Sequence, residues 1–170
     1  MSYELYLFDL DDTLIEGHVS RPDPKGPFVQ RQPFSEVRVL PGRIERLAAL
    51  LAGGARIGIC TNKAGVAFGH QTIVECNEKA LECCRQLGID GPDGRVSWTE
   101  CYDHPEGKIK EYRRDSFYRK PGPGMILKSL LFHEIAPAAT LFVGDMDSDR
   151  LAAEAAGVDF EHADHFFSVA

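Results

Sequence analysis

The residues best suited to chemistry are acidic side chains near the N-terminus. Asp9, Asp11 and Asp12 stand directly after the apolar run Leu5–Phe8, and Thr13 follows them. Carboxylates this close repel one another, and a hard divalent cation such as Mg²⁺ neutralises such a cluster. Because doubly wound sheets bind ligands at the carboxyl ends of their strands, a strand ending here would place these acids in a ligand site. Taken alone, the cluster also fits a solvated turn or a helix cap.

Three later segments end in other groups that a phosphoryl-transfer site requires. A hydroxyl follows an apolar run at Thr61, and a cation precedes a turn at Lys120. A second acidic cluster, 145–149, follows a third apolar run. Each segment is weak evidence alone, but together they predict a site for a phosphoryl group.

The chain between these segments alternates short apolar runs with stretches of helical periodicity. This alternation predicts helices packed on a mainly parallel sheet. Strands are predicted at 5–8, 56–60 and 140–143, with weaker ones at 95–98 and 158–160, and helices at 42–51, 72–87, 123–135 and 148–156. Asp147 or Ser148 is the expected cap of the last helix, and Gly157 its end. Residues 16–40 and 101–122 lack periodicity and are predicted as long surface excursions.

Length and composition favour a single soluble domain. The 170 residues, 44% of them apolar, suit one core, so one domain is expected over 1–170. A formal charge of −7 argues against nonspecific binding to nucleic acid or anionic membranes. We expect a cytoplasmic protein without membrane contact, and a monomer. Five irregularly spaced cysteines fit reduced thiols, with Cys60 a small buried side chain.

Taken in order, the four segments resemble the signatures of the haloacid dehalogenase-like (HAD) hydrolase superfamily. Those signatures are DxDxT after the first strand, Thr or Ser after the second, a lysine before a later helix, and GDxxxD after the fourth strand. The resemblance extends over residues 5–167. It implies an α/β fold of the three-layer α/β/α Rossmann-like HAD type, with a mainly parallel central sheet and no full cap domain.

The resemblance also implies catalytic roles. Asp9 would be the nucleophile that forms an aspartyl-phosphate, and Asp11 the general acid and base. Such a role requires that acidic neighbours or burial raise the pKa of Asp11. Thr61 and Lys120 would contact phosphoryl oxygens.

The implied cofactor is Mg²⁺. Its ligands would be Asp9, the main-chain carbonyl of Asp11, and Asp145. Asp149 would either be a further acidic partner of the metal or orient Lys120. Thr13 is predicted to hydrogen-bond within its own turn.

Five short motifs lie at residues 39–42, 61–66, 104–107, 119–125 and 144–149. They resemble the compact branch (subfamily IIIA) that contains heptose-bisphosphate phosphatases, histidinol-phosphate phosphatases and polynucleotide 3′-phosphatase domains. Heptose-bisphosphate phosphatases often carry a zinc loop, of which this chain keeps Cys101. Asp103, Ser116 and Tyr118 stand at other ligand positions, so we expect no structural zinc. His104 is predicted to be an exposed loop residue.

The substrate is less well defined than the chemistry. Asn62 and Arg119 are the candidate substrate-binding residues, while Lys63 and Phe68 replace a glutamine and an arginine usual in the branch. Residues 108–120 carry six basic and two acidic side chains, an excess of four positive charges, which suits a second phosphate, a nucleic-acid end or plain solvation. The leading prediction is a Mg²⁺-dependent phosphatase of a small phosphorylated metabolite such as a sugar phosphate. A polynucleotide 3′-phosphatase and a catalytically idle binding or regulatory module are the alternatives.

Overall fold

A sheet of five parallel strands forms the centre of the protein in a computed structural model that describes residues 3–20, 29–91 and 93–168. The strand order is β5-β4-β1-β6-β7. A separate antiparallel pair, β2 with β3, follows the first strand. The strands are β1 (Leu5–Phe8), β2 (Val19–Ser20), β3 (Val29–Gln30), β4 (Arg56–Asn62), β5 (Val96–Cys101), β6 (Thr140–Gly144) and β7 (Asp159–His162).

Helices cover both faces of the sheet. They are α1 (Arg43–Ala52), α2 (Ala64–Ala67), α3 (Ile73–Leu87), α4 (Gly124–His133), α5 (Asp147–Ala156) and α6 (Ala163–Ser168). Side chains alternate along β1, so Tyr6 and Phe8 pack with α1, α3 and α6, whereas Leu5 and Leu7 pack with α4 and α5. The protein therefore has the three-layer α/β/α Rossmann-like fold predicted, and no separate cap domain covers the sheet within the ranges given above.

Most predicted elements are confirmed, although their ends shift. The strand predicted at 56–60 continues to Asn62, and the weak strand at 95–98 continues to Cys101. Gly157, with φ of 73°, ends α5 as predicted, and Cys60 is fully buried. The short helices α2 and α6 and the pair β2–β3 were not predicted, because segments of two to six residues carry too little periodicity.

The segment 16–40, predicted as a surface excursion, is partly buried in its described residues. Residues 21–28 of this segment, which include three prolines, lie outside the described part of the chain. In the described part, His18 and Gln32 are 4% and 3% exposed. Each is tied to the backbone of the same segment, His18 to the Glu36 carbonyl and Gln32 to the Glu16 carbonyl. The segment therefore packs as part of the protein body and brings His18 towards the carboxyl end of β1.

None of the helices in the described ranges has the length and apolar character needed to cross a membrane.

Candidate active site

The carboxyl ends of β1, β4 and β6 meet at one edge of the sheet, as the parallel pairing requires. Phe8 pairs with Ile59 on one side and with Val143 on the other. The residues that follow, among them Asp9, Thr61 and Asp145, therefore line a common cavity of about 720 Å³. Ligand sites of open α/β sheets lie at this edge.

Lys120 lies at the centre of the site between two carboxylates. Its Nζ atom is 2.6 Å from Oδ1 of Asp9 and 2.6 Å from Oδ1 of Asp149. Burial alone would lower the pKa of Lys120, but attraction to both carboxylates raises it above its usual value. The lysine is therefore a fixed cation. Of the two roles expected for Asp149, the geometry matches that of orienting Lys120.

Asn62, a predicted substrate-binding residue, holds the main chain of Lys120. Its Nδ2 donates to the Lys120 carbonyl and its Oδ1 accepts from the Lys120 amide, both at 3.1 Å. The side chain still borders the cavity. Its two amide atoms are engaged in fixing the loop that carries the lysine, which indicates a positioning role.

Asp9, Asp145 and Asp149 can offer carboxylate oxygens within 4.8 Å of one another. Burial raises the pKa of Asp9 to about 7 against the attraction of Lys120, and repulsion from Asp149 adds to the rise. Burial and repulsion from Asp149 raise the pKa of Asp145 to about 6. Three crowded oxygen donors with one lysine among them suit a hard divalent cation. The cluster can therefore hold a metal ion.

Two expectations about neighbours of this cluster are wrong. The Thr13 hydroxyl does not bond within its own turn, where only the main-chain amide of Thr13 donates to the Leu10 carbonyl, because Oγ1 donates to Oδ1 of Asp145 at 3.3 Å. Neither Asp147 nor Ser148 caps α5, because Met146 occupies the cap position. Asp149 reaches back from the first turn, and its Oδ2 accepts from the amides of Asp145 and Met146. The same carboxylate thus closes the helix end and faces Lys120.

Asp11 lies in a basic environment. Its Oδ2 is 2.7 Å from Nζ of Lys63, and its Oδ1 is 3.1 Å from Nδ1 of His18 and 3.8 Å from Nζ of Lys79. Burial acts to raise the pKa of Asp11, but Lys63, His18 and Lys79 together lower it well below its usual value. The expectation of a raised pKa is wrong for this arrangement, because the nearest charges are cations rather than acids. Asp12 also borders the cavity, and its carboxylate accepts from the Gly17 amide and from Arg31.

Sequence reasoning missed Lys79 and His18 and identified Lys63 only as a departure from related sequences. Lys79 did leave a signal, because it stands at helical spacing with Cys76, Cys83 and Leu87 on the buried face of α3. A lysine in an apolar stripe points to a buried ion pair or a site. His18 left no comparable signal, because it follows the first strand in an aperiodic segment.

The remaining candidates lie around the cavity. Thr61 is buried and borders the cavity. Arg119 also borders the cavity, and its Nη1 donates to the Asp103 carbonyl. The Cys101 thiol contacts the Ser116 hydroxyl, and the His104 ring packs against Phe68 with centroids 4.9 Å apart. His104 is half-buried rather than exposed, because this packing covers one side of its ring.

Comparison with known proteins identifies related sequences. The chain is 32% identical over 126 residues to a D-glycero-beta-D-manno-heptose-1,7-bisphosphate 7-phosphatase of Vibrio cholerae, covering 72% of this chain and 66% of that protein. It is 33% identical over 123 residues to the enzyme of that name from Salmonella typhi, covering 69% and 62%. The chain thus spans less than two thirds of these relatives' length.

Solved structures show the same fold. D,D-heptose 1,7-bisphosphate phosphatase from B. bronchiseptica, complexed with magnesium and phosphate, matches with a TM-score of 0.71 and 24% identity over 92% of this chain and 78% of that chain. The Burkholderia thailandensis protein of that name matches with a TM-score of 0.58 and 22% identity over 91% and 74%. The family model described as polynucleotide kinase 3 phosphatase matches residues 4–170. The chain therefore belongs to the polynucleotide kinase 3 phosphatase family, within the HAD-like superfamily.

Proposed function

We propose that this chain is a Mg²⁺-dependent phosphomonoester phosphatase that acts through an aspartyl-phosphate on a small phosphorylated metabolite such as a sugar phosphate. The observation that carries the proposal is the position of Asp9, which borders the cavity and lies 2.6 Å from the ammonium of Lys120. A carboxylate held beside a fixed cation is suited to attack a phosphoryl group, because the cation offsets the charge of its oxygens.

The donor set fits the metal. Asp9, Asp145 and the main-chain carbonyl of Asp11 would hold Mg²⁺, with Asp149 linking the metal cluster to Lys120. When bound, the cation would reduce the repulsion between the Asp9 carboxylate and a dianionic phosphate. Thr61 and Lys120 would contact two of the phosphoryl oxygens.

The proposed reaction has two displacements. An Asp9 oxygen bonds to phosphorus while the bond from phosphorus to the ester oxygen breaks, and the ester oxygen leaves with a proton from Asp11. Water then attacks phosphorus and gives a proton back to Asp11, and the bond from Asp9 to phosphorus breaks to release inorganic phosphate. Lys63 and His18 favour the carboxylate form of Asp11, which is the form that accepts the proton from water. The first displacement uses the protonated form, which depends on the negative charge of the bound substrate raising the pKa of Asp11 against these cations.

The substrate proposal rests on the relatives. Those that share about a third of their aligned residues with this chain are named as phosphatases of a heptose bisphosphate. A cavity of about 720 Å³ is large enough for a sugar phosphate.

The test is a screen of phosphorylated metabolites and an activated aryl phosphate, with Mg²⁺ and with a chelator. We expect turnover that requires Mg²⁺ and is lost in Asp9→Asn, and a decrease of about 10²- to 10⁴-fold in Asp11→Asn, the usual share of general acid–base catalysis. Asp147→Asn is the matched control, because that carboxylate is 90% exposed and lies at the first residue of α5. Wild-type rates in Asp9→Asn would refute the proposal that Asp9 is the nucleophile. A protein that binds ligands but hydrolyses no ester would be an idle module instead.

The family description and the basic segment favour a second candidate, a polynucleotide 3′-phosphatase. Lys108, Lys110 and Arg113 are exposed and belong to the same segment, 108–120, as Arg119, which borders the cavity. These side chains could contact backbone phosphates of a bound strand. Exclusive turnover of a 3′-phosphorylated oligonucleotide in the same screen would favour this candidate over the sugar phosphate.

A further inference from the structure

The cavity wall beside Asp11 carries two buried lysines that share one carboxylate. Lys63 and Lys79 are only 5% and 6% exposed, and both border the cavity. Within the described ranges, Asp11 is the one carboxylate less than 4.0 Å from either ammonium, at 2.7 Å from Lys63 and 3.8 Å from Lys79. Among the described residues, one positive charge of this wall therefore has no acidic partner.

The other described groups near these lysines do not supply a second negative charge within ion-pair distance. Burial raises the pKa of Cys76 to about 11 and that of Cys83 to about 12, so both thiols are neutral at pH 7. Glu100 acts on Lys63 only from beyond ion-pair distance, and its carboxylate accepts from Trp98 and Tyr102. The His18 ring, 2.9 Å from Nζ of Lys79, is an imidazole and not an acidic group.

The placement of Lys79 is costly in the absence of a ligand. An ammonium group taken out of water is unfavourable unless it is fully paired. Lys79 nevertheless occupies a position on the buried face of α3, between Cys76 and Cys83, and it borders the cavity. Its pairing is weak, because its distance to Asp11 is more than 1 Å longer than that of Lys63. An anion entering the cavity would complete the pairing.

We propose that Lys63 and Lys79 form a subsite for a second anionic group of the substrate, a carboxylate or a phosphate attached at or next to the carbon that bears the ester oxygen. This inference rests on the proposed phosphatase function. The ester oxygen must lie beside Asp11 to exchange a proton with it. Because Nζ of Lys63 is 2.7 Å from the Asp11 carboxylate, a group bound there lies within one or two carbon atoms of that oxygen.

The experiment compares esters that differ in this one group. Glycerol 2-phosphate carries only neutral hydroxymethyl groups on the carbon that bears the ester. In 2-phosphoglycerate a carboxylate is attached to that carbon, and in glycerol 1,2-bisphosphate a second phosphate is attached to the next carbon. We expect kcat/KM for at least one anionic ester to exceed that for glycerol 2-phosphate by about tenfold or more. The preferred anionic ester identifies the group that the subsite takes. No preference for either anionic ester would overturn the proposal.

Two variants test whether the preference for anionic esters comes from the cavity wall that carries Lys63 and Lys79. Lys79→Gln is expected to reduce the ratio of kcat/KM values by about fivefold or more, because it removes the charge and keeps most of the side-chain volume. Lys128→Gln is the matched control, an exposed lysine on α4, and it should keep the wild-type ratio. A Lys79→Gln protein that retains the full ratio would refute the subsite.

A binding measurement separates failure of this inference from failure of the proposed function. If the wild type hydrolyses no ester in the screen, the phosphatase proposal fails, and calorimetric titration of Asp9→Asn with 2-phosphoglycerate and glycerol 2-phosphate then decides the subsite. Tighter binding of 2-phosphoglycerate that is lost on adding Lys79→Gln supports it. Equal affinity for the two esters, or a difference that survives Lys79→Gln, overturns it.

Discussion

At the scale of single residues, neighbours decide what each polar side chain can do. Asp9 and Asp11 have the same side chain two positions apart, yet burial raises the pKa of Asp9 to about 7 while surrounding cations lower that of Asp11. Two carboxylates whose pKa values are driven apart are suited to different roles. Asn62 is another example, because both of its amide atoms are engaged by the main chain of Lys120.

Replacing Asn62 with alanine tests whether it positions Lys120 or binds substrate. Two hydrogen bonds of 3.1 Å are lost, so the free energy of unfolding should fall by about 1–2 kcal/mol. A displaced Lys120 should lower kcat by about tenfold to a hundredfold, with a smaller change in KM. Steady-state kinetics with Mg²⁺ and urea unfolding measure both effects.

The control for this variant is Asn77→Ala, which changes an exposed asparagine on α3. It should leave both kcat and the free energy of unfolding close to the wild-type values. A large rise in KM with unchanged kcat in Asn62→Ala would contradict the positioning role and favour direct substrate contact.

At the scale of secondary-structure elements, the site depends on how closely β6 approaches α5. A Cβ atom built on Gly144 would lie only 2.5 Å from Oδ2 and 2.6 Å from Cβ of Asp149. No side chain fits in that space, so the glycine allows Asp149 to fold back against the strand end. There it accepts two amide hydrogen bonds and faces Lys120.

Gly144→Ala should therefore displace Asp149 and, with it, Lys120. We expect overpacking to reduce the free energy of unfolding by about 1–3 kcal/mol. We also expect kcat to fall by about tenfold or more, because the cation loses one of its two partners. The control is Gly91→Ala, since a Cβ there would meet its nearest atoms only at 3.9 Å. An active and fully stable Gly144→Ala protein would show that Asp149 does not need this close approach.

Elements and motifs differ in how far the sequence predicts them. The strands of the central sheet and the long helices were predictable, because an apolar run or a 3.6-residue period over ten or more residues outweighs local noise. The positions of Asp9, Thr61 and Asp145 at one edge follow from parallel pairing. The environment of Asp11 was not predictable, since tertiary packing brings Lys63 and Lys79 to it from distant segments and His18 belongs to a segment without periodicity.

At the scale of the whole molecule, charge is distributed unevenly. The chain carries a formal charge of −7, while the cavity wall near Asp11 carries two lysines and Lys120 lies at its centre. A negative surface disfavours nonspecific contact with polyanions, whereas buried cations attract a small anion once it enters. The carboxylates of Asp9, Asp145 and Asp149 act against these cations. Their mutual repulsion destabilises the folded protein, because the three groups are held close together only in the folded state.

This repulsion predicts that Mg²⁺ stabilises the protein. A ligand that binds only the folded state should raise the free energy of unfolding by about 2.7 kcal/mol at a concentration 100 times its Kd. Asp145→Asn should raise the stability of the metal-free protein, because one repelling carboxylate is removed, and should lose most of the response to Mg²⁺. Urea unfolding with Mg²⁺ or with a chelator measures both quantities. Asp147→Asn, which changes a 90% exposed carboxylate in the first turn of α5, should respond to Mg²⁺ like the wild type. If Asp145→Asn gained as much stability from Mg²⁺ as the wild type, the metal would have to bind somewhere other than this cluster.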